Sequence, residues 1–344
     1  MHTSILNTVP VANGAKQQKT IYIIYIIRIQ QYFIFVCQFI TMVRFKSTLK
    51  TNNLVWKHYS GAYSNRAVDL IQKITEGLKT LDKLGSETID DLAPVDEFHI
   101  GGRQATTHFM SQLKFNKNDY VLDVGCGLGG ASRFVAQKYG CKVLGVDLTQ
   151  EFVDIGNHLN CQLGLDNKVS LEHGSVLELQ DTYGSEPSYD HAFMLHVGMN
   201  IENKDLLISE VGSKLQDGGK FAIYDVMRIG SNSNEDLDFP VPWATDSNTN
   251  ACDSIDVYMN ALEKAGFEVI VNNNRYDFAI EFFDHMQQIQ KKQAAKNNGK
   301  PPPLGLHLIM DDAPQKMKNM IVNLKKKRIA PVELIAMKKC KRER

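Results

Sequence analysis

Short apolar runs alternate with amphipathic stretches from residue 120 to residue 226, and this alternation is the strongest pattern in the chain. Residues 120–124, 142–146, 169–172, 189–195 and 220–226 read as strands, because each is a brief apolar run bounded by turn residues. Residues 129–139, 151–163 and 204–215 have apolar positions at three- and four-residue steps and read as the intervening helices. The last of these is closed by the turn Asp217-Gly218-Gly219. Strands alternating with helices predict an α/β fold with a mostly parallel sheet and right-handed crossovers.

Around this core the pattern changes. Residues 56–84 read as helical, with Ala67, Leu70, Ile71, Ile74, Leu78 and Leu81 on one face. Residues 90–102, with Pro94 and the Gly101-Gly102 pair, read as a loop, and 104–113 as a helix. Residues 231–250 are polar and turn-rich and read as an inserted loop carrying Trp243. Beyond it the pattern predicts a helix over 254–265, a strand over 267–271 and a long helix over 278–292. A polar linker over 291–303, a helix over 314–327 and a final strand over 332–337 follow.

Composition adds little bias. The 344 residues carry 39 basic and 39 acidic side chains, so no net charge draws the whole chain to nucleic acid or anionic lipid. A basic C-terminal stretch, Lys325 to Arg328 and then Lys338 to Arg344, reads as a solvated surface, with a nucleic-acid or nuclear-import role as the minor alternative. Six scattered cysteines form no CxxC pair, and the histidines lack ligand spacing, so reduced thiols and no metal are expected.

Residues 1–41 stand apart. The segment 21–40 is nearly long enough to span a bilayer, but Arg28 and three glutamines interrupt it. It reads as a signal anchor, as part of a targeting segment continued by the basic, acid-free stretch 42–50, or as leader upstream of a true start at Met42. Cytoplasmic localisation is expected, with mitochondrial and membrane-anchored localisation as alternatives.

Asp123-Val124-Gly125-Cys126-Gly127-Leu128-Gly129-Gly130 follows the first core strand and opens a helix. Glycines there let the backbone approach a ligand at the carboxyl end of a parallel sheet. The spacing also satisfies the dinucleotide signature. Charge separates the two cofactors. A pyrophosphate at this turn would meet the carboxylate of Asp123, whereas S-adenosylmethionine (SAM) brings an ammonium and a sulfonium. Asp147, ending the second strand about 20 residues on, suits a ribose. Its alternative role is a helix N-cap.

The run 121–130 resembles the first motif of class I SAM-dependent methyltransferases, and Gly145-Val146-Asp147-Leu148-Thr149 resembles their second, acidic motif. Gly174-Ser175-Val176 falls where that family usually carries Gly-Asp-Ala, so Ser175 departs from the pattern. Trp56-Lys57-His58-Tyr59-Ser60, residues 94–103 and His196-Val197-Gly198-Met199-Asn200 resemble a subgroup that includes sarcosine/dimethylglycine and phosphoethanolamine methyltransferases. The resemblance covers about residues 54 to 340. It implies a Rossmann-like sheet with an antiparallel last strand, a helical cap over 54–115 and a SAM-dependent domain over 116–344. It further implies SAM contacts from Asp123, Gly125, Gly127, Gly129, Asp147, Leu148, Ser175, Val176 and His196.

Methyl transfer asks a protein mainly for alignment and for removal of a proton from the nucleophile. His196, ending the fourth strand, and Tyr59, in the N-terminal helix, are the candidate catalytic residues. His99, Arg103, Gln104 and His307 are weaker candidates. Phe282, Phe283 and Met286 read as core, and Trp243 as part of a substrate lid. The expected reaction is methyl transfer from SAM to a small-molecule acceptor, foremost an amine nitrogen of glycine/sarcosine or phosphoethanolamine type. Quinone- or sterol-type O- or C-methylation is the near alternative. An NAD(P) oxidoreductase and a catalytically silent binding protein are the distant ones.

Overall fold

The computed structural model describes residues 67–184, 186, 188–229, 237–296 and 299–340. Seven strands form one sheet: β1 Tyr120–Val124, β2 Lys142–Asp147, β3 Val169–His173, β4 Tyr189–Leu195, β5 Leu215–Arg228, β6 Phe267–Asn274 and β7 Ile329–Lys338. Their order is β3-β2-β1-β4-β5-β7-β6. β1 pairs in parallel with β2 and β4, and β7 runs antiparallel to both β5 and β6. The sequence order reverses between β1 and β4, so the loops leaving these strands diverge and open a crevice at the carboxyl edge.

The sheet is buried on both faces, which is why its strands read as unbroken apolar runs. Side-chain alternation divides them between two cores. Leu122, Val124, Leu144 and Met194 pack with Leu207 and Val211 of α7 (Lys204–Lys214) and with Tyr258 of α8 (Ile255–Lys264). Val121, Val143 and Phe193 pack on the other face with Phe109 of α3 (Gly102–Ser111) and with Phe134 and Val135 of α4 (Gly130–Tyr139). A further cluster joins Leu70, Ile74 and Leu78 of α1 (Ala67–Thr80) to Phe152, Ile155 and Leu159 of α5 (Gln150–Gln162). The predicted helical stripe of α1 is therefore an interior face.

Several boundaries differ from the sequence reading. Residues 89–96 form a helix, α2 (Ile89–Asp96), and not a loop. A capping box starts it: Asp91 N donates to Thr88 Oγ1, and Thr88 N donates to Asp91 Oδ2 at 2.9 Å. Pro94 has no amide to bond one turn back, and a helix of only 8 residues accommodates that loss. β5 begins at Leu215, with the expected turn at 217–219 held inside it as an irregularity opposite β4. A short helix, α6 (Leu179–Tyr183), was not anticipated. The described part of the 231–250 loop is not merely polar surface, because Leu237, Val241, Trp243 and Ala244 are buried. The long helix α9 (Tyr276–Lys296) runs into the expected linker, and α10 (Ala313–Lys325) follows that linker. Residues 1–66, including the leader and Tyr59, lie outside the described residues.

Candidate active site

The loop after β1 takes its shape from three glycines at positive φ: Gly125 at 75°, Gly127 at 53° and Gly129 at 81°. A side chain at Gly125 would collide with Val197, and one at Gly127 with the ring of Phe98. The loop thus runs between the residue after His196 and the segment after α2, with no room for a Cβ. Gly129 has a different task. It caps α4, and a Cβ there would meet Leu171 and Arg133.

This loop, the ends of β2 and β4, and the α2–α3 segment line a cleft of about 1220 Å³. Asp123, Gly125, Gly127, Asp147, Leu148, Ser175, Val176 and His196 all line it; Gly129 does not. The expected contact through Gly129 therefore becomes a helix-capping role. Asp147 is not a helix N-cap, since Thr149 holds that position on α5. Its carboxylate instead accepts from Gly127 N at 2.8 Å and from Thr149 N at 2.9 Å, one bond to each oxygen. Each oxygen retains capacity for one further donor. Ser175 Oγ accepts from Leu177 N at 3.2 Å and shapes the turn after β3.

Carboxyl groups dominate this end of the cleft. Burial pushes Asp123 up to about 7, opposed by a hydrogen bond from Ser132 and reinforced by the nearby Asp147 and Glu97. Asp147 is also raised by burial, against the two backbone N–H bonds. Glu97 is pushed up to about 7 by burial, with Arg103 pulling the other way. The cations nearby are already committed. Arg133 donates to Asp96 and Leu128 O at 2.7 Å and to Asn160 at 2.8 Å, and Arg103 pairs with Glu97 at 2.6 Å. The loop thus offers carboxylates and no free guanidinium, which suits a cationic sulfonium cofactor and opposes a pyrophosphate. Cys126 lies within it, and burial holds its thiol well above the usual range, so it is no nucleophile.

His196 adopts a left-handed backbone, φ 54°, where the chain turns out of β4. Its N–H donates to Tyr224 O at 2.7 Å, and its ring lies 5.2 Å from the ring of Tyr224. Burial, with His99 adding to it, lowers its pKa well below the ordinary histidine value, so the ring is neutral near pH 7. Its Nε2 is buried and has no hydrogen-bond partner. His99, 6.0 Å away between ring centroids, is held at about 4 by burial. The Nε2 of His99 lies 3.0 Å from Gly102 O, to which it must donate, and 2.9 Å from Thr106 Oγ1. That hydroxyl donates to Glu97 at 2.7 Å.

The other half of the cleft is apolar. Trp243 is 2% exposed, and its Nε1 donates to Asn250 at 2.8 Å, so it is a fixed wall and not a lid. Phe283 packs in the core with Phe282 against it, the half-buried Met286 does not belong to that cluster, and all three line the cleft together with Met317 and Met320 of α10. Gln104 and His307 line the cleft as well. Sequence reasoning missed Arg133, Tyr224 and the two methionines of α10. Nothing in their spacing distinguishes them from ordinary helix and strand residues.

The profile of the methyltransferase domain family matches residues 121–219, from β1 into β5. Residues 121–219 thus carry a methyltransferase domain. Methyltransferase GfsG of Streptomyces halstedii is 23% identical over 61% of this chain and 75% of its own length. Sterol 24-C-methyltransferase of Eremothecium gossypii is 28% identical over 49% of this chain and 46% of its own, so the chain spans under half of that relative. A solved phosphoethanolamine N-methyltransferase 2 of Haemonchus contortus, bound to phosphomonomethylethanolamine and S-adenosylhomocysteine, superposes with a TM-score of 0.57. It is 18% identical and covers 78% of this chain and 60% of that one, so the likeness is one of fold.

Solved neighbours of this fold are bound to SAM or S-adenosylhomocysteine. The methyltransferase relatives act on chemically diverse acceptors, which fixes a methyl-transfer domain and leaves the acceptor to the site itself. Among the described residues no group of histidine, cysteine, aspartate and glutamate is placed to hold a metal. No described helix is long and apolar enough to cross a membrane.

Proposed function

We propose that this methyltransferase domain methylates a nitrogen of a small-molecule amine, with His196 orienting the nucleophile. One observation carries the reading: the buried, unpartnered Nε2 of a neutral His196 on the cleft wall. An unsatisfied buried nitrogen costs roughly 1–3 kcal/mol, which an acceptor's N–H would recover. A carbon nucleophile brings no such proton, so the same observation disfavours C-methylation. A phenol O–H would also satisfy Nε2, and O-methylation is the second reading.

When bound, SAM supplies an electrophilic methyl on a sulfonium that leaves as a neutral thioether. Asp147 is suited to hold the ribose hydroxyls, Asp123 to face the cationic end, and the glycine loop to admit the cofactor backbone. His196 can accept the N–H bond that points the amine lone pair along the transfer axis, an alignment worth up to roughly 7–11 kcal/mol in favourable cases. The buried Trp243 lines the same cleft and gives it a dry wall. Tyr59 is proposed as a further orienting phenol, and residues 54–115 as the cap that closes the cleft.

The reading is tested by following methyl transfer from labelled SAM to matched panels of amines, phenols and alkenes. Turnover confined to amines is expected. Turnover confined to alkenes would overturn the role given to His196.

A further inference from the structure

The left-handed backbone of His196 is a conformation that a residue other than glycine keeps only where its surroundings hold it. The chain then makes a short 3-10 turn, Gly198–Asn200, and Val197, Met199, Asn200 and Ile201 line the cleft beside His196. Three buried polar side chains that do not line the cleft converge on this loop: Asp225 of β5, Lys204 of α7 and Tyr258 of α8.

The carboxylate of Asp225 accepts from the Tyr258 hydroxyl at 2.6 Å and from Val226 N at 2.9 Å, and the backbone of Met199 is a further donor to it. A Cβ at Gly198 would collide with both the carboxylate and the Tyr258 hydroxyl, so the loop rests directly on this pair. The ammonium of Lys204 donates to Ile201 O, to Ala251 O at 2.7 Å and to Asp253 Oδ2 at 3.2 Å, which engages all three of its protons. Ala251 N in turn donates to Met199 O at 3.2 Å. From the opposite face of the sheet, the neighbouring Tyr224 holds the start of the loop through the bond from His196 N.

Burying a carboxylate and an ammonium is costly, and apolar side chains of similar size often give a core at least as stable. Here both groups direct hydrogen bonds to residues 196–201 or to the segment that abuts them. We propose that Asp225 and Tyr258, with Lys204, are positioning residues that fix His196 against the acceptor. They touch neither cofactor nor acceptor and act through the backbone of Gly198, Met199 and Ile201. The proposal rests on the reading of His196 as the group that orients the acceptor.

Two measurements on the full chain test it, with Tyr258→Phe as the variant, because it removes one hydroxyl and keeps the ring. Amide hydrogen exchange needs no acceptor. Residues 196–201 are expected to exchange about tenfold faster in the variant, in keeping with the loss of one hydrogen bond to a charged group, while β1 and β2 are unchanged. Asp225→Asn is expected to act in the same direction. The second measurement is kcat with labelled SAM and the amine that turns over fastest in the panel above. Tyr258→Phe is expected to lower kcat by about fivefold, with S-adenosylhomocysteine affinity nearly unchanged, and to cause no further loss in the His196→Ala background. Equal losses in the two backgrounds would mean a role in stability alone and would overturn the proposal, as would unchanged exchange at 196–201. A folded wild type that turns over no amine would instead remove the reading beneath the proposal, and the exchange measurement would still decide whether these residues hold the loop.

Discussion

Arg133 and Asp96 form a 2.7 Å ion pair in which both side chains are sealed from solvent. The same guanidinium binds the carbonyl of Leu128 in the cofactor loop and that of Gly156 in α5. One buried cation thus ties α2, the loop and α5 together. Removing one partner of a buried pair leaves an uncompensated charge, at a cost of roughly 3–5 kcal/mol. Asp96→Ala is expected to lower unfolding stability by about that amount in urea titrations. Replacing both partners, as in Arg133→Met with Asp96→Leu, is expected to cost less than Asp96→Ala alone.

Asp123 is expected to make cofactor binding depend on pH. Burial raises its carboxyl from 3.8 to about 7, so in that window the folded chain holds a proton that the unfolded chain has released. Stability contributed at this position is therefore present at low pH and lost as pH rises from about 4 to about 7. The buried histidines act with the opposite sign, so the comparison with Asp123→Asn isolates the contribution. The wild type is expected to lose stability relative to that variant across the window. A cationic ligand favours the ionised form, so SAM affinity is expected to rise through about pH 7 and level off above it. In Asp123→Asn that rise is expected to vanish.

The core of this fold was legible because parallel strands covered on both faces are short apolar runs, and 120–124 and 189–195 match β1 and β4 residue for residue. The shape of the loop after β1 was legible for a related reason: glycines at positive φ and a strand-terminal aspartate are local signals. Residues 89–96 were misread because Pro94 and the later glycine pair outweighed the Thr88–Asp91 capping box. Gly129 entered the cofactor contact set through the resemblance to the family's first motif, and in the structure it caps α4. The acceptor half was not legible. Met317, Phe283 and Trp243 come from separate segments, and only the tertiary fold brings them to one wall.

Gly125 and Val197 set how closely the loops after β1 and β4 approach. A Cβ at Gly125 would lie 2.5 Å from Val197 Cγ2, at a φ of 75°. Gly125→Ala is expected to destabilise the chain by about 1–3 kcal/mol and to weaken cofactor binding. Adding Val197→Ala is expected to recover part of that loss, because it removes the collision but not the backbone strain. Thermal unfolding of the two variants and the wild type measures both parts.

His196 is expected to act on turnover and not on cofactor affinity. His196→Ala is expected to lower kcat by about tenfold, since the hydrogen bond that orients the acceptor is lost, with S-adenosylhomocysteine binding nearly unchanged. The kcat profile of the wild type is expected to show no limb at the ordinary histidine value, since burial keeps the ring neutral well below it. A kcat that is unaltered in His196→Ala would remove the residue from the reaction.

Asp147, bonded to Gly127 and Thr149, is proposed to complete a SAM site at the β1–β2 edge. Calorimetric binding of S-adenosylhomocysteine to the full chain, wild type beside Asp147→Ala, tests it most directly. Saturable binding by the wild type is expected, with a loss of about 100-fold or more in the variant, as two hydrogen bonds to a charged group disappear. Equal affinity in the two folded proteins would contradict it.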